Sequence, residues 1–286
     1  MATVVTSASA PGTAVVRHYV VWLCLALGLS ACDRQPVPAA STSSPAPDLA
    51  GMWSDPPRTA LDVFCVFACT DLGLRRLTEL LDDPANDARP YPELSADASR
   101  HQTDDYIRPR LTDAALAAPL LDPLQDPGYL NCEPWGVARQ IFAPHQLEIT
   151  QFPDRVELHY GEWDAHRIVH LDERAAPQGS SHVALGYSVG HYEGDTLVVE
   201  TSLITANIGP MRIFEDRRHS DQLTAVERYR RPAPERLELT ATLTDPVTFR
   251  EPIELKKVWK LAPEQKIAAY DSCEPAAAEP SQRSVR

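Results

Sequence analysis

Two charged side chains stand where the sequence otherwise lays down apolar strand faces. Arg167 shares a two-residue rhythm with Trp163, Ala165, Val169 and Leu171. Glu227 shares one with Leu223, Ala225 and Tyr229. If those faces point inward, each charge is taken out of water and requires a partner, because an unpaired buried charge costs several kcal/mol. The two could be partners in a purely structural pair, or both faces could point to solvent. They could also anchor a polar group of a ligand, with Trp163, Tyr187 and Tyr229 as its aromatic surroundings. A Glu held in an apolar setting can also serve as a general acid or base. On that reading Glu227 or Glu200 is the acid or base, His191 or His219 assists, and Arg167 stabilises developing negative charge.

Other polar groupings carry less. His219-Ser220-Asp221 has the composition of a triad, but neighbours in sequence cannot converge as one. His219, at a strand end, remains a candidate for the mouth of a barrel. His166 and His170 are spaced as an H-x3-H, which aligns two ligands on a helix but not on a strand. Cys65 and Cys69, a C-x3-C, lack a nearby Cys or His partner at zinc spacing, so a local disulfide or two buried thiols is expected. No metal and no cofactor are expected.

The elements that must position these residues follow from hydrophobic periodicity. Residues 57–82 carry apolar residues at steps of three and four, which predicts helix, ended by Asp82-Asp83-Pro84. Residues 84–131 are rich in Pro, Asp and Ala, with a short helix expected near Thr112–Leu121. From about 138 the period becomes two. Runs at 147–150, 156–160, 163–171, 182–191, 196–203, 222–230, 236–244, 253–261 and 266–270 are separated by turn signals such as Gly194-Asp195 and Asp245-Pro246. The expected fold is mainly β: an antiparallel β-barrel, calycin- or lipocalin-like, with a short helical N-terminal segment. Closure removes the exposed edges of a long meander, and an eight-strand interior holds side chains or one small ligand.

The expected organisation is a signal segment at 1–31, a flexible tether at 32–50, a helical and irregular wrapping segment at 51–130, a barrel at 131–275 and a loose tail at 276–286. Arg17 and His18 precede an apolar run ending Leu29-Ser30-Ala31-Cys32. This resembles a bacterial lipoprotein signal, with Cys32 as the lipidated residue, and implies a periplasm-facing, lipid-anchored location in the cell envelope. The Pro-, Ala- and Ser-rich stretch after it cannot bury enough apolar area to fold. In an oxidising compartment the remaining cysteines suggest disulfides. Of three possible pairings among Cys65, Cys69, Cys132 and Cys273, the expectation is Cys132 with Cys273, joining the ends of the β region.

The formal charge is −13, and Arg17 is the only formal charge before Cys32, so loss of that segment takes it to −14. No basic cluster is left to neutralise phosphates, which argues against a nucleic-acid partner. The expected partners are a small molecule and, through the anchor, the membrane.

The string Gly190-His191-Tyr192-Glu193-Gly194-Asp195-Thr196-Leu197-Val198-Val199-Glu200-Thr201 resembles a family of secreted bacterial proteins that read G-x-W-E-G-D-T-L-V-V-D-T there. The resemblance extends to Asn131-Cys132-Glu133-Pro134-Trp135-Gly136, Arg167-Ile168, His219-Ser220, Glu227-Arg228, Asp245-Pro246 and Cys273-Glu274. Tyr192 and Glu200 depart from the usual Trp and Asp. The resemblance implies no reaction type. Three functions remain open: capture of a small apolar or aromatic ligand inside the barrel, cofactor-independent acid–base catalysis in the same cavity (a lyase, hydratase, isomerase or cyclase), and a structural envelope lipoprotein.

Overall fold

Glycine at a two-residue turn sets the first fixed point. Glu193 and Thr196 pair across Gly194-Asp195. Only the first of the two turn residues, Gly194, has a left-handed φ, +60°, and a II′-type hairpin takes glycine there. The flanking strands β5 (Tyr187–Glu193) and β6 (Thr196–Ser202) are thereby locked in register. In this computed structural model, which describes residues 46–54, 59–122, 130–172, 175–209 and 217–267, such pairings continue around a closed nine-strand barrel.

The remaining strands are β1 (Gly51–Ser54), β2 (Leu147–Gln151), β3 (Arg155–Tyr160), β4 (Ala165–His170), β7 (Thr224–Ala233), β8 (Arg236–Thr244) and β9 (Ile253–Leu261). Strand order follows chain order, and β1 closes the ring by pairing with both β2 and β9. Alternation on β2, β3, β4, β7, β8 and β9 matches the two-residue rhythm, with Leu, Val, Ile and Ala turned into a core that also holds Trp53, Tyr229 and Trp259.

Three features differ from the sequence reading. The closing strand comes from Gly51–Ser54, inside the segment read as wrapping, and not from 266–270, of which Lys266 and Ile267 are outside any strand and 268–270 lie outside the described residues. One neighbouring pair is parallel: β4 meets β5 through Val169↔Ser188 and His170↔Val189. A parallel neighbour needs a long connection, and Leu171–Gly186 provides it. The helix expected over 57–82 is two helices, α1 (Ala60–Phe64) and α2 (Asp71–Asp82). Cys65 and Cys69 are disulfide-bonded in the break, where Thr70 accepts from the Gly73 amide as the N-cap of α2.

The segment before the barrel is more helical than its composition suggested. α3 (Tyr91–Gln102) packs on α2 through Leu77, Leu80, Leu94 and Ala98. The short helix α4 (Asp113–Ala117) lies within the expected 112–121. Cys132 is disulfide-bonded; its expected partner Cys273, like the expected lipidation site Cys32, lies outside the described residues. Among the described residues no helix is long and apolar enough to cross a membrane.

Candidate functional site

Parity along β4 and β7 places Arg167 and Glu227 inside the barrel. Their neighbours in register are Leu158 for Arg167 and Val199 and Ala241 for Glu227. β5 and β6 lie between β4 and β7 and turn Ser188 and Thr201, themselves a cross-strand pair, to the same side. Arg167 is 3 % exposed and Glu227 fully buried.

The pair is bidentate. Arg167 Nη1 donates to Glu227 Oε2 at 2.9 Å and Nη2 to Oε1 at 2.6 Å. Arg167 Nε donates to Ser188 Oγ at 2.8 Å, Nη2 also to Thr201 Oγ1, and Nη1 to the Tyr160 hydroxyl at 3.4 Å. These contacts match the donor capacity of a guanidinium. Glu227 accepts further bonds from Tyr229 Oη at 2.7 Å and Thr201 Oγ1 at 3.4 Å. Burial alone would pull the guanidinium's pKa down; the Glu227 carboxylate overrides it, and Arg167 is held above its ordinary value. Burial and the same carboxylate push the Tyr229 phenol well above its usual range. Burial also raises Tyr160, against the opposing charge of Arg167.

The remaining expected site residues do not join this network. His191 lies on the outer surface and pairs with Glu193 at 3.0 Å, because the inward positions of β5 are Ser188 and Gly190. Glu200 is outside for the same reason: Leu197, Val199 and Thr201 take the inward positions of β6. Trp163 sits in a separate cluster with Trp135 and Ile208, its ring 5.7 Å from that of Trp135. Tyr187 stacks on His170 outside the barrel, with ring centroids 5.0 Å apart. His219 is buried near Gly136 and Asn207; its Nδ1 lies 2.9 Å from Ser220 O. Its Nε2 has no hydrogen-bond partner among the described residues. Burial holds its pKa below the ordinary histidine value, against the pull of the Ser220 carbonyl.

Tyr187 and Glu200 nonetheless meet. With Val189, Val226, Ala175 and Ala176, they line a groove of ≈ 450 Å³ on the outer face of β5, β6 and β7. Glu200 is opposite Val189 on one side and Val226 on the other. It makes no ion pair or hydrogen bond with any described side chain, whereas Glu193 and Asp195 on the same hairpin are bound to Arg228 and Arg230.

Sequence reasoning missed Tyr160, Ser188 and Thr201 as partners of the pair, and it missed Lys257. This lysine breaks the inward run Ile253, Leu255, Trp259 by the signal that exposed Arg167. Its Nζ donates to Val66 O at 2.8 Å and to Ala143 O, and lies 4.9 Å above the Trp259 ring. Asp245, read only as a turn residue, is a hub. It accepts from Ser220 N, Ser220 Oγ and Thr248 Oγ1, each at 2.7 Å, and from Val247 N at 3.0 Å.

Comparison with protein-family models matches no family, and comparison with curated proteins finds no similar sequence.

Proposed function

We propose that this chain is an envelope-tethered binding protein for a small apolar or aromatic ligand bearing a positive charge. The ligand sits in the outer groove of β5–β7, and the packed barrel is the rigid frame that holds it. The observation that carries the reading is the groove itself. It joins an aromatic ring, Tyr187, to two valines, Val189 and Val226, and to the Glu200 carboxylate, which no described side chain neutralises. Its volume falls within the usual range of small-molecule sites, which combine apolar walls with a few placed polar groups. A formal charge of −13 draws cations toward the surface. The lipoprotein-like Cys32, the resemblance to the secreted family and an envelope location belong to the same proposal.

This moves the ligand from the interior expected from sequence to the outer wall. Supporting the move, Glu227 and Arg167 satisfy each other and four hydroxyl groups, so neither offers a free valence inward. Acid–base catalysis by Glu227 would require an oxygen that these contacts occupy.

The test is titration of the full-length protein, in detergent, with a panel of aromatic and aliphatic amines and their uncharged analogues, followed by calorimetry. Amines are expected to bind and uncharged analogues to bind at least tenfold more weakly; Glu200→Gln removes that preference and Tyr187→Ala weakens both. Equal binding by wild type and both variants, or no binding by any amine, overturns the assignment.

A further inference from the structure

A second cluster lies on the outer wall, on the side of the barrel that carries β2, β3 and β4. His159 on β3 and His166 on β4 face each other in register, with their rings stacked 3.8 Å apart at 17°. The connection between the strands folds back over them. Trp163 and Asp164 in that connection have left-handed φ values of 59° and 49°, and the turn directs the Asp164 carboxylate onto the imidazoles. Asp164 Oδ1 lies 2.5 Å from His159 Nε2 and 3.8 Å from His166 Nε2. One ligand atom from each of the three residues falls within 4.8 Å of the others. On β2, Glu148 is the register partner of His159, and its Oε2 stands 3.5 Å from His159 Nδ1.

We propose that His159, His166 and Asp164 form a binding site for a divalent transition-metal ion, zinc first, with Glu148 orienting His159. Two imidazole nitrogens converge on one carboxylate oxygen, and a single proton can bridge only the shorter of the two gaps. The 3.8 Å gap to His166 is beyond hydrogen-bond reach. An ion between the three satisfies all of them together. Bonds of about 2.0–2.1 Å in a tetrahedral site set ligand atoms roughly 3.3 Å apart. The short gap must therefore open and the long one close, each by less than about 1 Å, while the two imidazole nitrogens, no more than 4.8 Å apart, close by at most about 1.5 Å.

Glu148 stands where metal-bound histidines keep an outer carboxylate, 3.5 Å from the other ring nitrogen, and closing that gap would fix the tautomer and leave Nε2 to the ion. Two imidazoles and one carboxylate suit zinc and its neighbours, whereas calcium and magnesium prefer oxygen-only shells. His166 is 65 % exposed and Asp164 33 %, so three protein ligands leave a position for water. Glu148 and His159 also line a cleft of ≈ 710 Å³ beside β1 and β2, through which an ion can enter.

The H-x3-H spacing of His166 and His170 serves an ion on a helix, and here both residues are on a strand. Four residues along a strand span about 13 Å, too far to share an ion, and His170 instead stacks on Tyr187. The partner comes from across the sheet.

The test uses cobalt(II) as a spectroscopic probe on the full-length protein in detergent. One equivalent is expected to bind with visible bands of tetrahedral geometry, to be displaced by zinc and not by calcium. His166→Ala and His159→Ala each lower affinity at least tenfold, and Glu148→Gln lowers it less while the bands persist. Melting curves of the metal-free variants establish that they are folded. His170→Ala leaves binding unchanged. Absence of saturable cobalt binding by wild type, or binding that both histidine variants retain at full affinity, overturns the proposal.

Discussion

Replacing Glu227 by Gln tests whether the inward charges pair as described. Gln keeps the shape and one acceptor oxygen but removes the charge, leaving Arg167 buried at 3 % exposure against a neutral amide. Removing one member of a buried ion pair costs about 3–5 kcal/mol, because the other is left uncompensated. Here the upper half of that range is expected. The guanidinium's partners Tyr160, Ser188, Thr201 and Glu227 all lie inside the barrel, so water cannot replace the carboxylate without opening the strands. In urea, with a slope of about 2 kcal/mol/M, the midpoint falls by roughly 2 M. Glu238→Gln is the control. It breaks a 2.7 Å pair with Arg236 in which both side chains are 37 % exposed, and an exposed pair contributes no more than about 1 kcal/mol. The double variant Arg167→Met, Glu227→Gln is expected to recover more than about 2 kcal/mol of the summed losses, the signature of direct coupling. A Glu227→Gln midpoint within about 0.5 M of wild type, or strictly additive losses in the cycle, would refute the buried pair.

Asp245→Asn turns one oxygen into a donor, and each oxygen now faces a backbone N–H, so neither amide orientation satisfies the turn; the expected loss is about 1–3 kcal/mol by urea denaturation. Burial would raise the Asp245 pKa, but the Thr248 and Ser220 hydrogen bonds override it and hold it below 3.8. Its contribution is therefore present above the ordinary aspartate range and is lost as pH falls through the depressed value, and Asp245→Asn should shallow that acid limb. His219 acts in a separate window. Its folded pKa lies below 6.5, so the unfolded chain takes up the proton first and stability declines as pH drops from about 6.5 toward the lowered value. Unfolding free energies at pH 7.5 and 5.5 should differ less in His219→Gln than in wild type; an identical difference would show that His219 is not the group responsible.

How far the fold could be read depended on how strongly each element contrasts inside with outside. β7, β8 and β9 alternate over nine or ten residues, and each was legible with nearly correct ends. β1 has four residues, of which Met52, Trp53 and Ser54 are all buried, so it shows no alternation to find. It is a strand because β2 and β9 present free edges on both sides of it. α3 hid for a different reason. Its Pro, Ser, Asp and Ala content looks irregular, but only Leu94, Ala98 and Gln102 need to be buried, and they recur every four residues. The break between α1 and α2 was invisible because both helices present apolar residues at helical steps, and the disulfide-linked turn between them does not interrupt that pattern.

The same contrast governs which site residues can be found. A charge on an apolar face is conspicuous, and that is how Arg167 and Glu227 surfaced; Lys257 would have yielded to the same reasoning. On the outer wall, polar residues are the rule, so His159 and His166 are unremarkable one at a time. What joins them is register across β3 and β4 and a turn that reverses Asp164 onto them, neither of which periodicity records. Nor does parity reveal whether a barrel is hollow. That depends on the volume nine strands turn inward, and here Trp53, Tyr229, Trp259 and a saturated ion pair occupy it. An interior whose ion pair is saturated by its own hydroxyl partners fixes the frame, and the proposed recognition sites fall to the surfaces that frame holds apart. The groove at Glu200 and the cluster at His159 both stand on the outside of strands whose inward neighbours are locked by packing. That is the support a recognition site needs, since side chains rooted in paired strands hold their positions better than those on free loops.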